Sequence, residues 1–301
     1  MIENLDLSFY KVDFKAMGSA CEITISAENK DEAFRCIDIA IKEIGRIEDK
    51  YSRYKNDSVV SKINSSAGLG WTECDEETEA LLDYANKLYE ISDGLFDITS
   101  GVLRRVWDFN NPSVPEQLDI DNVLKLIGWQ KVQRNEKMIM LPESGMEIDF
   151  GGFGKEYAVD RAITMLADNN IKHGFVNLGG DLRVLGPKVD GKPWLMGVND
   201  PNDKNSIIAT LPINVGALAT SGDYQKYFEI DGIRYCHIIS PKTGYPVRYW
   251  RSVTLLAPLS ITSGTYTTIA MLKEAEGLDW IKESNFPYLA IDFNNNIFKK
   301  D

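Results

Sequence analysis

Apolar and polar residues follow two periods along this chain, and the switches between them lay out an order of strands and helices. Phe9 to Phe14, and then CEITISA from Cys21 to Ala27, alternate with period two, as strands with one buried face do. From Asp31 to Tyr51 the period lengthens. Ala33, Ile37, Ala40, Ile41, Ile44 and Ile47 fall on one face of a long amphipathic helix. Asn29, with Glu32 three positions later, forms a capping-box pattern at its start. A second helix is expected over 77–91, ended by Ser92-Asp93-Gly94. Residues 109–121, rich in Asn, Pro and Asp, read as a surface loop, with a short helix over 118–127. A hairpin (131–134 with 137–141) and a strand over 146–150 come next, and the Gly-rich turn GGFGK leads into a helix over 155–168. Strands then dominate, at 175–178, 182–185, 194–198, 207–211 and 217–220, with a hairpin turn at Asp231-Gly232 and a strand at 252–256. A helix over 262–273, another near 278–283 and a terminal hairpin close the chain. Without repeats or a clear linker, the pattern describes one α+β unit, with room for two lobes.

Composition narrows the function more than the fold. The 301 residues carry 33 Lys+Arg against 45 Asp+Glu, a net charge of −12, which argues against non-specific binding to a phosphate backbone. With 44% hydrophobic and 10% aromatic residues the chain has the material for a core and is not intrinsically disordered. No apolar run is long enough to span a bilayer, and MIENLDLSFYKVDF has neither a basic n-region nor an apolar h-region. The protein therefore either stays inside the cell or has had an export signal trimmed. Cys21, Cys36, Cys74 and Cys236 show no C-x-x-C spacing and read as buried small hydrophobes.

The chemistry concentrates in four Gly-rich segments beside strand ends: MEIDFGGFGKEYAVD (146–160), FVNLGGDLRVLG (175–186), LATSGDYQKYF (218–228) and CHIISPKTGYP (236–246). A strand, a Gly-rich turn and a helix N-terminus together favour an anion such as a phosphate. The common nucleotide motifs nevertheless fail. A P-loop would need Gly at Asp149 and Ser or Thr at Glu156, and a dinucleotide fingerprint would need Gly at Tyr157. His173 precedes a strand and reads as solvated. His237 sits beside a Gly-rich turn and is the better candidate for acid–base work. With two histidines, any metal would be a hard ion on oxygen ligands: backbone carbonyls, the hydroxyls within 262–268, and Asp149 or Asp97.

Taken in order, the motifs resemble those of the FAD:protein FMN transferase (ApbE) family, formerly described as thiamine-biosynthesis lipoproteins. The resemblance spans nearly the whole chain: Met17-Gly18, YSRYKNDSVVSKIN (51–64), DGLFDITSG (93–101), IDFGGFGKEYAVD (148–160), VNLGGDLRVLG (176–186), ATSGDY (219–224) and HIISPKTGYP (237–246). It implies a mixed α+β fold of two lobes, in a single domain, with FAD in the cleft between them. It also implies Mg2+-dependent cleavage of the FAD pyrophosphate, transfer of FMN through a phosphoester bond to a Ser or Thr of a partner flavoprotein, and release of AMP. Matched residue by residue, Met17, Tyr54, Leu95, Phe96, Asp97, Asp149, Lys155, Ile239 and Thr267 would bind FAD. Gly152, Gly264 and Thr268 fall at the metal positions, and His237 matches the histidine that assists the acceptor hydroxyl. Family members mostly work outside the cytoplasmic membrane, which implies export. Two alternatives use the same cleft: an FAD-binding paralogue without transfer, and an FAD pyrophosphatase.

Three positions depart from the family pattern. The metal motif A-D-x-x-[ST]-T has Gly264 in place of Asp, the lysine motif K-G-Y-A has Glu156 in place of Gly, and the histidine motif H-x-[IL]-D-P has Ser240 in place of Asp. Losing the Asp removes one charge from a site whose affinity for a hard cation depends on charge count. On this reading Mg2+ binding weakens unless Asp149 or a bound diphosphate compensates, Glu156 repels a diphosphate if it points inward, and Gly264→Asp is the variant to test for restored transfer should the chain not transfer flavin.

Overall fold

A computed structural model describes residues 8–300. Residues 1–7, where a leader was sought, lie outside it. In chain order the first half contains β1 (Ser8–Ala16), β2 (Ser19–Ala27), α1 (Lys30–Tyr51), α2 (Val59–Ser65), β3 (Thr72–Glu73), α3 (Glu76–Ile91), a 3-10 helix (Ile98–Arg105), α4 (Gln117–Leu124), β4 (Gln133–Asn135), β5 (Met138–Met140) and α5 (Gly154–Asp168). The second half contains β6 (Gly174–Leu178), β7 (Asp181–Gly186), β8 (Trp194–Asp200), β9 (Asp203–Ile213), β10 (Gly216–Gly222), β11 (Tyr227–Ile230), β12 (Ile233–Cys236), β13 (Trp250–Ala257), α6 (Ser260–Leu272), α7 (Gly277–Glu283), β14 (Tyr288–Asp292) and β15 (Ile297–Lys300).

Eight strands form one antiparallel sheet in the order β1-β2-β6-β7-β10-β13-β14-β15. Helices α1, α5 and α6 pack over β1–β2, β6–β7 and β10–β13 respectively. The predicted apolar stripe of α1 faces this core, with Ala33, Ile37, Ala40, Ile44 and Ile47 buried. Asn29 caps its first turn by accepting from the Glu32 amide at 2.9 Å, while Glu32 reaches back to the Glu28 amide at 3.1 Å. The β8–β9 hairpin covers the other face of the sheet, where Phe175, Leu182, Val184 and Leu218 meet Trp194, Met196 and Ile213. Alternation along β6 sends Phe175 to that layer and Val176 and Leu178 to the helices. A third cluster, Trp107, Ile120, Phe228 and Tyr235, ties α4 to the β11–β12 hairpin. The mixed α+β class expected from the pattern is the one observed. Among the described residues no helix is long and apolar enough to cross a membrane.

Three local features set up the site. Helix α6 begins after Leu259, which has no capping side chain, so Asp160 of α5 accepts from the amides of Ser260 (2.9 Å) and Ile261 (3.0 Å). That bond fixes α6 against α5. Residues 146–150 form an extended loop rather than the expected strand. At its centre a side chain takes the place of a neighbouring strand: Asn64 donates to the Ile148 carbonyl (3.0 Å) and accepts from its amide (2.7 Å), while the Asp149 amide donates to the Ile98 carbonyl at 2.8 Å. Asn64 lies on α2, a helix too short for periodicity to reveal. The β1–β2 hairpin turns through Met17 (φ 51°) and Gly18 (φ 70°), a left-handed pair that matches the twist of the strands. Two smaller readings also change. Helix α4 starts at Gln117, inside the stretch read as loop, and His173 is half-buried, with Nδ1 2.7 Å from the Pro187 carbonyl. All four cysteines are buried and free, as expected.

Candidate functional site

A cleft of about 420 Å³ opens where the N-terminal end of α5, the end of β10, the face of α6 and the β11–β12 cap converge. That volume suits a cofactor-sized ligand. Phe96 lines its floor and stacks at 6.3 Å between ring centres on the core residue Phe153, which packs on Phe150 at 5.0 Å. Gly152 crosses this floor so closely that a Cβ there would lie 2.8 Å from Phe96 Cζ, which explains the Gly.

The inner wall carries buried charge. Lys155 on α5 pairs with Asp181 of β7, Nζ to Oδ2 at 2.5 Å. Glu156 on the same helix is 7% exposed, lines the cleft, and leaves Oε2 without a hydrogen-bond partner. Burial, and then the charge of Asp181, push its carboxyl well above the usual range. Burial also raises the Asp181 carboxyl, against the pull of Lys155. Gly264 of α6 lies directly against Glu156: a Cβ built there would fall 2.5 Å from Glu156 Oε1. One turn along α6, Thr268 faces Ser221 of β10 (Oγ1 to Oγ 3.2 Å), and the same Ser221 hydroxyl meets Thr267 at 2.9 Å.

On the adjoining side, Arg53 is almost fully buried and clamps two carboxylates, Glu147 (2.5 Å) and Asp149. Asp149 also accepts from the Gly151 amide at 2.9 Å, which shapes the Gly turn. Asp97 is spent locally: it caps the 3-10 helix by accepting from the Thr99 amide (2.8 Å) and from the Trp129 amide at 3.0 Å. Burial raises its carboxyl above the usual range.

The outer rim differs. Tyr54 is 83% exposed. His237, just after β12, holds Nδ1 3.2 Å from the Lys226 carbonyl. A carbonyl can only accept, so Nδ1 carries the proton and Nε2 keeps its lone pair, on a residue that lines the cleft. Desolvation by the surrounding protein, with the nearby charges of Lys226 and Lys155, lowers the imidazole below its ordinary value.

The cleft thus gathers Tyr54, Leu95, Phe96, Asp97, Asp149, Gly152, Lys155, His237, Ile239 and Thr268 of the residues singled out in the sequence. Met17, Thr267 and Gly264 do not line it. Met17 sits in the β1–β2 turn, packed against the main core. Thr267 is buried, with its hydroxyl donating to the Gly264 carbonyl at 3.0 Å. Gly264 is buried in α6 behind Glu156. The sequence reading did not single out Arg53, Arg104, Asp181 or Lys226, which also line the cleft. Four cations, Arg53, Arg104, Lys155 and Lys226, line it with four carboxyl groups, Asp97, Asp149, Glu156 and Asp181, so the concavity is charge-balanced in a chain of net charge −12. Among the described residues no three His, Cys, Asp or Glu side chains converge as a ready-made metal cluster.

Comparison with known proteins agrees with this geometry. The chain is 29% identical to the FAD:protein FMN transferase of Haemophilus influenzae, over 97% of this chain and 86% of that protein. It is 30% identical to one from Klebsiella pneumoniae, over 92% of this chain and 89% of the other. The fold superposes on the crystal structure of an ApbE protein from Thermotoga maritima with a TM-score of 0.89, at 33% identity, covering 98% and 97% of the two chains. For the flavin transferase ApbE of Vibrio cholerae the TM-score is 0.85 at 25% identity, with the same coverage. The ApbE family model matches residues 17–290, and the chain is a member of the ApbE family.

Proposed function

We propose that this chain is a Mg2+-dependent FAD:protein FMN transferase. It takes FAD as substrate and a Ser or Thr of a partner flavoprotein as acceptor. The acceptor oxygen attacks the phosphorus of the FMN half and loses its proton to His237 Nε2. The bond to the AMP phosphate breaks, and AMP leaves with the electron pair. The observation that carries this reading is that Lys155, inside the cleft, and the free Nε2 of His237, at its mouth, open onto the same space.

Each residue has a role set by its surroundings. Lys155 lies beside the helix α5 N-terminus and offers a fixed positive charge to a diphosphate. The Phe96 face and exposed Tyr54 suit flat ring systems. The surroundings of His237 favour its neutral imidazole, the form that can accept a proton.

The donors present fit a hard divalent cation. Gly152, Thr268 and the unpartnered Glu156 Oε2 border one cleft, and all offer oxygen. Mg2+ bound there would neutralise charge that grows on the diphosphate oxygens. The Gly152 carbonyl and the Thr268 hydroxyl are the donors that the family motifs suggest.

The test is direct. Purified protein, FAD, Mg2+ and a small flavoprotein domain bearing an acceptor Thr are combined, and the acceptor band on a denaturing gel is scanned for flavin fluorescence. A fluorescent band that disappears with EDTA is expected. A dark band with FAD still bound would reject transfer, and FMN and AMP released without a labelled acceptor would point to hydrolysis.

A further inference from the structure

We infer that Glu156 supplies the metal-ligating carboxylate of this cleft, moved from α6 to α5, so that Gly264 is its partner and not a lost ligand. The inference rests on the Mg2+-dependent reading above and names the residue of this chain that reading lacks.

Three observations carry it. The first is spatial exclusion. An ideal Cβ at Gly264 falls 2.5 Å from Glu156 Oε1 and 2.6 Å from its Cγ. A side chain on α6 and the Glu156 carboxylate therefore compete for one volume. The two departures from the family motifs are a single exchange: Glu where Gly is usual, Gly where Asp is usual. The second is the unsatisfied oxygen. Glu156 is 7% exposed, yet Oε2 has no hydrogen-bond partner. Such an atom costs free energy unless something occupies it. The third is the neighbourhood. Glu156 borders the cleft with Gly152 and Thr268, and Asp181 lies on the same wall, tied to Lys155. Carboxylate, hydroxyl and carbonyl oxygens form the donor set of a hard cation. On this inference Glu156 supplies the carboxyl group that Gly264 lacks. The carboxyl group is still there, on another helix, and a bound cation would favour its charged form. Gly264→Asp alone is not a repair, because it drives a second carboxylate into the first.

The position of α5 against α6 makes the exchange possible. Asp160, one turn beyond Glu156, holds the α6 N-terminus through the Ser260 and Ile261 amides. The two helices are thus in fixed register, and a side chain from either can reach the same point.

The probe is Mn2+, titrated into the whole chain and followed by loss of the free-ion electron paramagnetic resonance signal. Metal-induced change in Tm is measured in parallel. Wild type is expected to bind one Mn2+. Glu156→Gln keeps shape and removes charge. It should weaken Mn2+ binding by more than the roughly tenfold that even an outer-shell change costs, and should lose the metal-induced rise in Tm. Gly264→Asp alone should lower the metal-free Tm, because the core has no room for it. The double change Glu156→Gly with Gly264→Asp should recover both Mn2+ binding and Tm. Unchanged Mn2+ binding in Glu156→Gln, a wild type that binds no Mn2+, or a double variant that folds without binding it would each overturn the assignment. Flavin transfer measured on the same samples separates the two ideas. Wild-type transfer with Mn2+ binding indifferent to Glu156→Gln sinks the relocated ligand and spares the transferase. Glu156-dependent Mn2+ binding without transfer does the reverse.

Discussion

The two sides of the cleft are built by opposite means. The inner wall, with Lys155, Glu156, Asp181 and Thr268, stands on regular elements and is mostly buried. Its charges are paired or desolvated, and their neighbours lock their positions. The outer rim, with Tyr54, Lys226 and His237, stands on connections between elements and meets solvent. A wall that must hold concentrated charge gains from preorganisation in a water-poor site. A rim that must admit a protein segment gains from access. On this contrast, changes to the wall should act on folding and ligand affinity together, and changes to the rim should act on function with the fold untouched.

The sharpest test of the rim is His237→Ala. Transfer should fall by about 10²- to 10⁴-fold, the usual worth of a positioned base, while FAD affinity by fluorescence titration stays unchanged. Equal loss of both would make His237 a binding residue and break the contrast. For the wall, Lys155→Met leaves Asp181 and Glu156 without their counter-charge. Urea denaturation should show a loss of about 3 kcal/mol, together with weaker FAD binding; a stable variant would mean that the buried carboxyls are already neutral. Asp160→Ala removes the carboxylate that caps the α6 N-terminus and should cost about 2 kcal/mol in the same experiment. Tyr54→Ala tests the rim from the other direction. Stability should stay within about 0.5 kcal/mol, and FAD affinity should drop about tenfold, the worth of one aromatic contact. The smallest effect is in pH. Only the neutral imidazole accepts a proton, and a lowered value keeps it neutral to lower pH. The transfer rate should therefore rise with pH and level off with an inflection below the usual histidine value of about 6.5, an inflection that the His237→Ala residual activity should lack.

Much of the frame was legible because it is local. Period and cap announced α1, and Asp231-Gly232 announced the β11–β12 turn, where both residues have positive φ. What stayed hidden depends on contacts between distant residues. The segment 146–150 has the composition of a strand, yet Ile148 at its centre bonds to the Asn64 side chain, 84 positions away. Asp160 looks like an ordinary helix residue until α6, 100 positions on, presents its bare amides. The site was legible as a set of motifs, because Gly turns and charged residues cluster in sequence. Arg53 and Lys226 were not, because their role depends on what lies across the cleft. Glu156 and Gly264 were read as two separate defects, since nothing in either helix alone says that they touch.

That contact has a consequence for how such sites change over generations. The two layouts, Asp on α6 with Gly on α5 and Glu on α5 with Gly on α6, are separated by two substitutions, and each intermediate is impaired. One holds two side chains in a space for one; the other holds none. Changing either position alone therefore either crowds the space or empties it, so the two positions are expected to change together. A signature that demands Asp at one position would discard this chain, whereas one that demands an acidic oxygen at a point in space would retain it.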